Sequence, residues 1–468
     1  MAQAAASHAP EKVDLESLAA EVVALAMKAG ASDAEAVARE GDEFSVNVRM
    51  GQVETLKESG SRGLGLRVFL GKRSASTSTN DLSPEGIHQL VDGALALAKV
   101  TEEDSFSGLP ERAEFGSCIS ITGDLHLYHE DVYSLPGPER IEWARRAEAA
   151  ALEADPRITN SDGGSFDAAT GSKALANSRG FHGSYRSSYA GVSAAPLAVD
   201  VDGSMQRDGW WSSARRLKDL ESPEAIGKEA ARRTLRRLGA RRVPTQQVPI
   251  VFAREVAQSL VGVIFNAASG DAIWRGASFL AGKLGEQIAA PGVTIIDDNT
   301  MLLPTGMGGF GTSPFDGEGL PSLRTMVVEK GVLRNYLLNT YTARKLGMKS
   351  THNASRGLAG TPGIGCGNLY LEPGSLTPEQ IIADVPAGLY VTSLMGFGVN
   401  VVTGDYSQGA TGLWIENGQL THAVEEVTIA GNLAEMLRNV VAIGDDLEFR
   451  GAVVSPTLRI DGMMMAGS

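Results

Sequence analysis

Cysteine is nearly absent from this chain. Cys118 and Cys366 are the two in 468 residues, far apart and in no paired spacing, which excludes a disulfide framework and a thiolate zinc cluster. Such usage fits a reducing cytosol. Long apolar runs are missing as well, since no stretch approaches the roughly 20 residues of a membrane span. Met1 to Glu11 has neither a basic leader nor an apolar core, so neither export nor insertion is expected. Basic residues are in deficit, 42 against 56 acidic ones, for a formal charge of −14. That balance opposes approach to nucleic acid or to an anionic membrane. A helical zinc motif is also lacking. Such a motif needs two imidazoles one turn apart around a Glu base. The one His-Glu dipeptide is His129-Glu130, and Tyr133 and Ser134 stand where a second ligand would fall.

What the chain has in excess is glycine, 55 residues scattered in short clusters. Many tight turns follow, as in a chain rich in antiparallel strands. The length predicts two to four units, each able to bury a core. Leu15, Leu18, Val22 and Leu25 recur at helical spacing before Gly30. Alternation then takes over through Phe44, Val46 and Val48 and through Leu64, Leu66 and Val68, with turns at Met50-Gly51 and Gly71-Lys72. Helices are predicted from Ser83-Pro84 to Lys99, over Pro138–Asp155 and Pro223–Leu238, and, in a last unit, over Arg254–Ala268. Between them run glycine-punctuated strands, and Asn417-Gly418 marks a hairpin. Acidic, broken sequence over residues 101–118 and the stretch from Arg241 to Thr245 serve as linkers. The reading is α+β, multi-domain, with antiparallel sheets and segregated helices, divided as 1–105, 118–240 and 245–468. Ser61-Arg62-Gly63 is echoed by Ser178-Arg179-Gly180, a short hint of duplication.

Several patterns imitate functional motifs. Gly306 to Gly311 has the spacing of a dinucleotide fingerprint, but Pro314 and more glycines follow it instead of a helix. A mobile or tightly folded loop is the better reading. Gly404 to Gly409 has one residue too many before Ser407 for a nucleophile elbow. His126 and His129 read as a solvated loop, and Asp297-Asp298-Asn299 as a turn at a strand end. The basic run Lys228, Arg232, Arg233, Arg236, Arg237, Arg241 and Arg242 reads as a solvated face or a surface for an acidic protein, given the negative total.

Longer stretches are more specific. They are Arg157 to Ser165, Ser278-Phe279-Leu280 with Leu284-Gly285, Ser313 to Gly319, Tyr341 to Gly347, Val402 to Ser407, Trp414 to Gly418 and Glu426 to Asn432. Together they make the chain, from about Ala36 onward, resemble the TldD/PmbA family. That family has two subunit types. In the TldD type the helix after the third domain's first strand carries His-Glu, three residues, then His, and a cysteine ligand lies near the C-terminus. Here Leu260-Val261-Gly262-Val263-Ile264-Phe265 stands at about the matching place, and no cysteine follows Cys366. The resemblance therefore points to the PmbA (TldE) type. It implies a cytoplasmic heterodimer with a TldD-type zinc subunit, the pair acting as a peptidase on unfolded or flexible polypeptides. On that reading this chain holds no cofactor, no metal ligand and no catalytic residue, and it has neither nucleic acid nor membrane as partner. The family's older name refers to modulation of DNA gyrase. A self-standing hydrolase and a non-enzymatic binding protein remain alternatives.

The motif stretches concentrate in Thr245 to Ser468, which is expected to carry most of the partner and substrate surface. Within it, Phe310 and Phe315 are candidates to cover apolar parts of a peptide, and Asp316 and Glu318 to bind its amides or cations. The competing reading is that Asp316 and Glu318 cap turns.

Overall fold

The structure, a computed structural model, describes residues 14–115 and 124–467. The N-terminal tail from Met1 to Glu11, Cys118 and the end of the first linker lie outside the described residues. Helix α1 (Leu15–Lys28) is capped by the Asp14 carboxylate, which accepts the Glu16 N–H, and buries Leu18, Val22 and Ala26. Strands β1 (Asp33–Arg49) and β2 (Gln52–Leu70) form a long hairpin. Its turn, Met50-Gly51, has φ of 49° and 74°, the pair of left-handed residues that a two-residue hairpin turn demands. Strand β3 (Arg73–Thr79) follows, then α2 (Pro84–Val100), with Ser83 accepting the Gly86 N–H and Pro84 in the first turn. Helix α3 (Gly137–Leu152), β4 (Ile158–Asn177), β5 (His182–Val199), β6 (Met205–Arg207), β7 (Trp210–Ala214) and α4 (Pro223–Leu235) complete this half.

Strands β1 to β7 form a single antiparallel sheet in the order β3-β2-β1-β4-β5-β6, with β7 beside β5. The first two units share it, because β1 pairs with β4 from Glu35↔Asn177 to Val48↔Gly164. Strand alternation sorts its side chains. Ala34, Ala36 and Ala38 pack on α1 and α2, while Phe44, Val46 and Val48 pack on the segment around α3. With α4 against Val192 and Ala194, all four helices lie on one face. The other face, carrying Glu35, Val37 and Arg39, receives the third unit, whose Phe315 and Leu320 join Val37, Leu175 and Phe181 in one cluster. The echoed tripeptides are not equivalent here, since Ser61 to Gly63 lies inside β2 and Ser178 to Gly180 forms the β4–β5 turn.

The third unit begins with β8 (Gln246–Phe252) and α5 (Arg254–Ala268). Strand β8 pairs with Ala387–Met395 and Leu458–Ala466, and the strands Asp405–Glu416 and Gln419–Asn432 complete a ring, closed by pairing of Gln419–Asn432 with Leu458–Ala466. The Asn417-Gly418 turn has φ of 50° and 75°. A second sheet holds Ile295–Asp298, Arg324–Glu329 and Asn368–Leu371. No helix among the described residues is long and apolar enough to cross a membrane.

Candidate functional site

The glycine-rich loop after Gly306 is a tightly folded element. Arg215, buried just beyond β7, donates from Nε to the Gly308 carbonyl at 2.8 Å and from Nη2 to the Gly309 carbonyl at 2.7 Å. Its remaining bonds go to the carbonyls of Phe310, Leu127 and Ser188. A Cβ on Gly311 would lie 2.1 Å from the backbone of Gly367, so glycine is required there for close approach of two chains. No helix follows to receive a pyrophosphate.

This folding turns three of the four candidate side chains inward. Phe315 meets Phe181 and Tyr185 edge-on, with ring centres 5.0 and 5.4 Å away. Asp316 accepts the N–H groups of Glu318 and Leu320, each at 2.9 Å, and of Ala354 at 3.1 Å. Glu318 accepts the Thr340 N–H at 2.9 Å. Both carboxylates are buried, so neither presents a surface in this chain, and the turn-capping reading describes Asp316. Phe310 alone is partly open, edge-on to Tyr189 at 6.1 Å.

Beneath the loop lies a layer of buried charge. Glu35 pairs with Arg67 at 2.6 Å and with Arg356 at 2.7 Å, all three buried. Arg39 donates to the Arg356 carbonyl. Gly65 lets this segment cross β2, since a Cβ there would sit 1.7 Å from the Leu358 carbonyl oxygen. Burial pushes the Asp316 carboxyl up to about 6. Burial, and then the neighbouring Asp316, push Glu318 up to about 7.

Where the third unit leaves this sheet face, a cleft of about 500 Å³ opens, bordered by Phe310 and Arg215. Strand register orders its floor in three rows. Arg39, Lys173 and Tyr185 stand side by side, then Ser61, Gly41, Gly171 and Ser187, then Glu43, Ala169 and Tyr189. The middle row is small enough for a backbone to lie on it. Burial, and then the like charge of Arg39, hold the Lys173 ammonium down to about 8. Burial lowers Arg215 to about 10 and raises Tyr185. A perturbed amine in a cleft is a functional-site signal. The sequence reading missed this row, although a lone lysine amid Ala168 to Ala176, otherwise small or apolar, is a detectable anomaly.

The other motifs resolve into structure. Asp297, at its strand end, accepts from Asn353 at 2.6 Å and from the Gly367 N–H at 2.8 Å. His126 and His129 each face a separate carboxylate, Asp124 at 3.1 Å and Asp131 at 2.9 Å. Among the described residues no three His, Cys, Asp or Glu side chains gather as a ligand set. Burial raises the Cys366 thiol to about 12, far from a nucleophilic thiolate at neutral pH. The basic run is largely paired within the chain, Arg232 with Glu229, Arg233 with Asp208 and Glu255, and Arg242 with Glu426. Helix α5 directs Leu260, Val261 and Ile264 to a cavity of about 30 Å³ shared with Val293, Leu371 and Met436.

Three family profiles match the chain in succession. Residues 34–98 match the PmbA/TldA metallopeptidase domain 1, 130–238 the central domain and 245–467 the C-terminal domain. The chain belongs to the PmbA/TldD family. Among curated PmbA/TldD-family relatives, Metalloprotease PmbA of Escherichia coli O157:H7 is 39% identical over 445 residues, 94% of each chain. A Metalloprotease PmbA homolog of Haemophilus influenzae is 36% identical over 95% of this chain and 94% of its own. A solved Bacteroides thetaiotaomicron structure, described as a candidate modulator of DNA gyrase, superposes with a TM-score of 0.88 at 28% identity, covering 97% of this chain and 99% of that one. TldE from Thermococcus kodakarensis shares the fold, with a TM-score of 0.81 at 20% identity over 96% of this chain and all of that one. Against the zinc expected of a metallopeptidase family, the α5 site of this family member does not fit the metal. Its lining offers carbon and thioether where zinc needs imidazole, thiolate or carboxylate.

Proposed function

We propose that this chain is the zinc-free, PmbA (TldE)-type subunit of a cytoplasmic two-subunit peptidase that acts on unfolded or flexible polypeptides, its TldD-type partner supplying the zinc. The observation that carries this reading is the apolar face of α5. Leu260-Val261-Gly262-Val263-Ile264-Phe265 stands at about the place where the family resemblance puts His-Glu, three residues and His, and Leu260 and Val261 are buried against aliphatic neighbours. The relatives named Metalloprotease PmbA, matched over nearly full length, support a peptidase role for the assembly. The inert Cys366 and the separate His126 and His129 weigh against a self-standing hydrolase.

Within such a pair, this chain's contribution is binding. The cleft floor of Gly41, Ala169 and Gly171 accommodates an extended backbone whatever its side chains, and Phe310 and Tyr189 offer apolar contact beside it. Light scattering on the chain mixed with a TldD-type subunit tests the assembly directly. A one-to-one complex, or a multiple of it, is the expected result. Two species that elute at their separate masses at micromolar concentration would overturn the heterodimer.

A further inference from the structure

The first row of the cleft holds positive charge that makes no ion pair among the described residues. Lys173 has no ion pair or hydrogen bond among the described residues, and the acid whose charge acts on it, Asp316, is engaged by three backbone N–H groups. Arg39 donates to one carbonyl, and its Nε is buried without a partner. Arg215, closing the same corner, bonds to carbonyls and meets no carboxylate among the described residues. Tyr185 turns its ring toward Lys173, 5.9 Å from Nζ, and Arg39 and Arg215 act on its phenol. Arg215 is buried and Arg39 and Lys173 are half-buried, and charge held partly out of water is favoured by an opposite charge beside it. A small anion that reached Arg39, Lys173 and Tyr185 together would supply that opposite charge.

The opposite end of the cleft carries the opposite sign. Glu43 stands four residues from Arg39 on β1, about 13 Å along a strand, and its ion pair with Lys57, at 3.6 Å, is solvent-exposed. Glu40 also borders the cleft, but alternation points its side chain to the helix face. Cations at one end, an acid at the other and small residues between match an extended peptide of about four residues in one direction. We propose that the Arg39–Lys173–Tyr185 row binds the C-terminal carboxylate of a peptide lying along this floor. The site deepens the peptidase reading above and rests on it for the identity of the ligand.

Reductive methylation of the intact chain, with the rate at Lys173 followed by mass spectrometry, tests the site without any cleavage. An N-acetylated tetrapeptide with a free carboxylate is expected to slow methylation of Lys173 at least roughly tenfold more than the same peptide as its C-terminal amide. Inorganic phosphate at equal concentration is expected to protect less than the acid peptide. Equal rates with acid and amide, or protection by phosphate as strong as by the peptide, would overturn the proposal. Because the labelling uses the chain alone, a pair that assembles without cleaving peptides would sink the peptidase reading and leave this result standing on its own.

Discussion

Glu318 sets a pH dependence whose sign follows from its surroundings. Its carboxyl sits near 7 in the fold against an ordinary 4.5, so between those values the native chain holds a proton that the unfolded chain has released. Stability therefore falls as pH rises across that window, and the full penalty stands above 7. Asp316 acts in the same sense between 3.8 and about 6. Glu318→Gln keeps an acceptor for the Thr340 N–H and removes the titration. It is expected to be more stable than the parent above pH 7, by about 1–3 kcal/mol, with no gain at pH 4. Urea unfolding at the two pH values checks this, and parallel stability curves would remove Glu318 as the source. Lys173 has the opposite sign, because its folded value near 8 lies below its ordinary 10.5, so its penalty is present below pH 8 and fades as pH rises toward 10.5. Lys173→Met is expected to raise stability at pH 7 by roughly 1–3 kcal/mol, as suits a residue kept for binding at the expense of the fold. A destabilised Lys173→Met would mean that the ammonium has a stabilising partner.

Among the elements, two glycines give opposite predictions. Gly93 lies inside α2 with nothing within 4 Å of its missing Cβ, so Gly93→Ala is expected to stabilise by roughly 0.5–1 kcal/mol. Gly65 lies in β2 under Leu358, and Gly65→Ala is expected to cost at least about 1–3 kcal/mol as the Leu358 segment is forced off the sheet. Guanidinium denaturation midpoints of the two variants should shift in opposite directions. A neutral Gly65→Ala would show that the third unit does not depend on that close approach. Local elements were well marked in the sequence. The helix read from Pro84 to Lys99 runs Pro84–Val100, and those read over Pro138–Asp155 and Pro223–Leu238 run Gly137–Leu152 and Pro223–Leu235, because capping residues and a 3.6-residue period are local signals. The pairing of β1 with β4 was not legible, since partner choice between strands more than a hundred residues apart leaves no local mark. For Asp316 and Glu318 the sequence offered both a surface role and turn capping, and their burial was not legible. Two of the N–H groups on Asp316 come from its own turn, but the Ala354 N–H on Asp316 and the Thr340 N–H on Glu318 are supplied by distant segments that only the fold brings near.

At the scale of the whole molecule, four helices cover one face of the shared sheet and the third unit covers part of the other, so the cleft is the part of that face left open. With −14 net charge and the basic run of α4 largely paired internally, the chain is expected not to retain duplex DNA in a mobility-shift assay at physiological salt. Salt-sensitive retention there would revive a direct nucleic-acid role. The central claim is the division of labour between two subunits. It is tested most directly by measuring zinc content and peptidase activity on an unfolded polypeptide for this chain alone and mixed with a TldD-type subunit. Cleavage in the mixture with essentially no zinc held by this chain alone is the predicted result. Close to one tightly held zinc per chain, with cleavage by this chain alone, would contradict it.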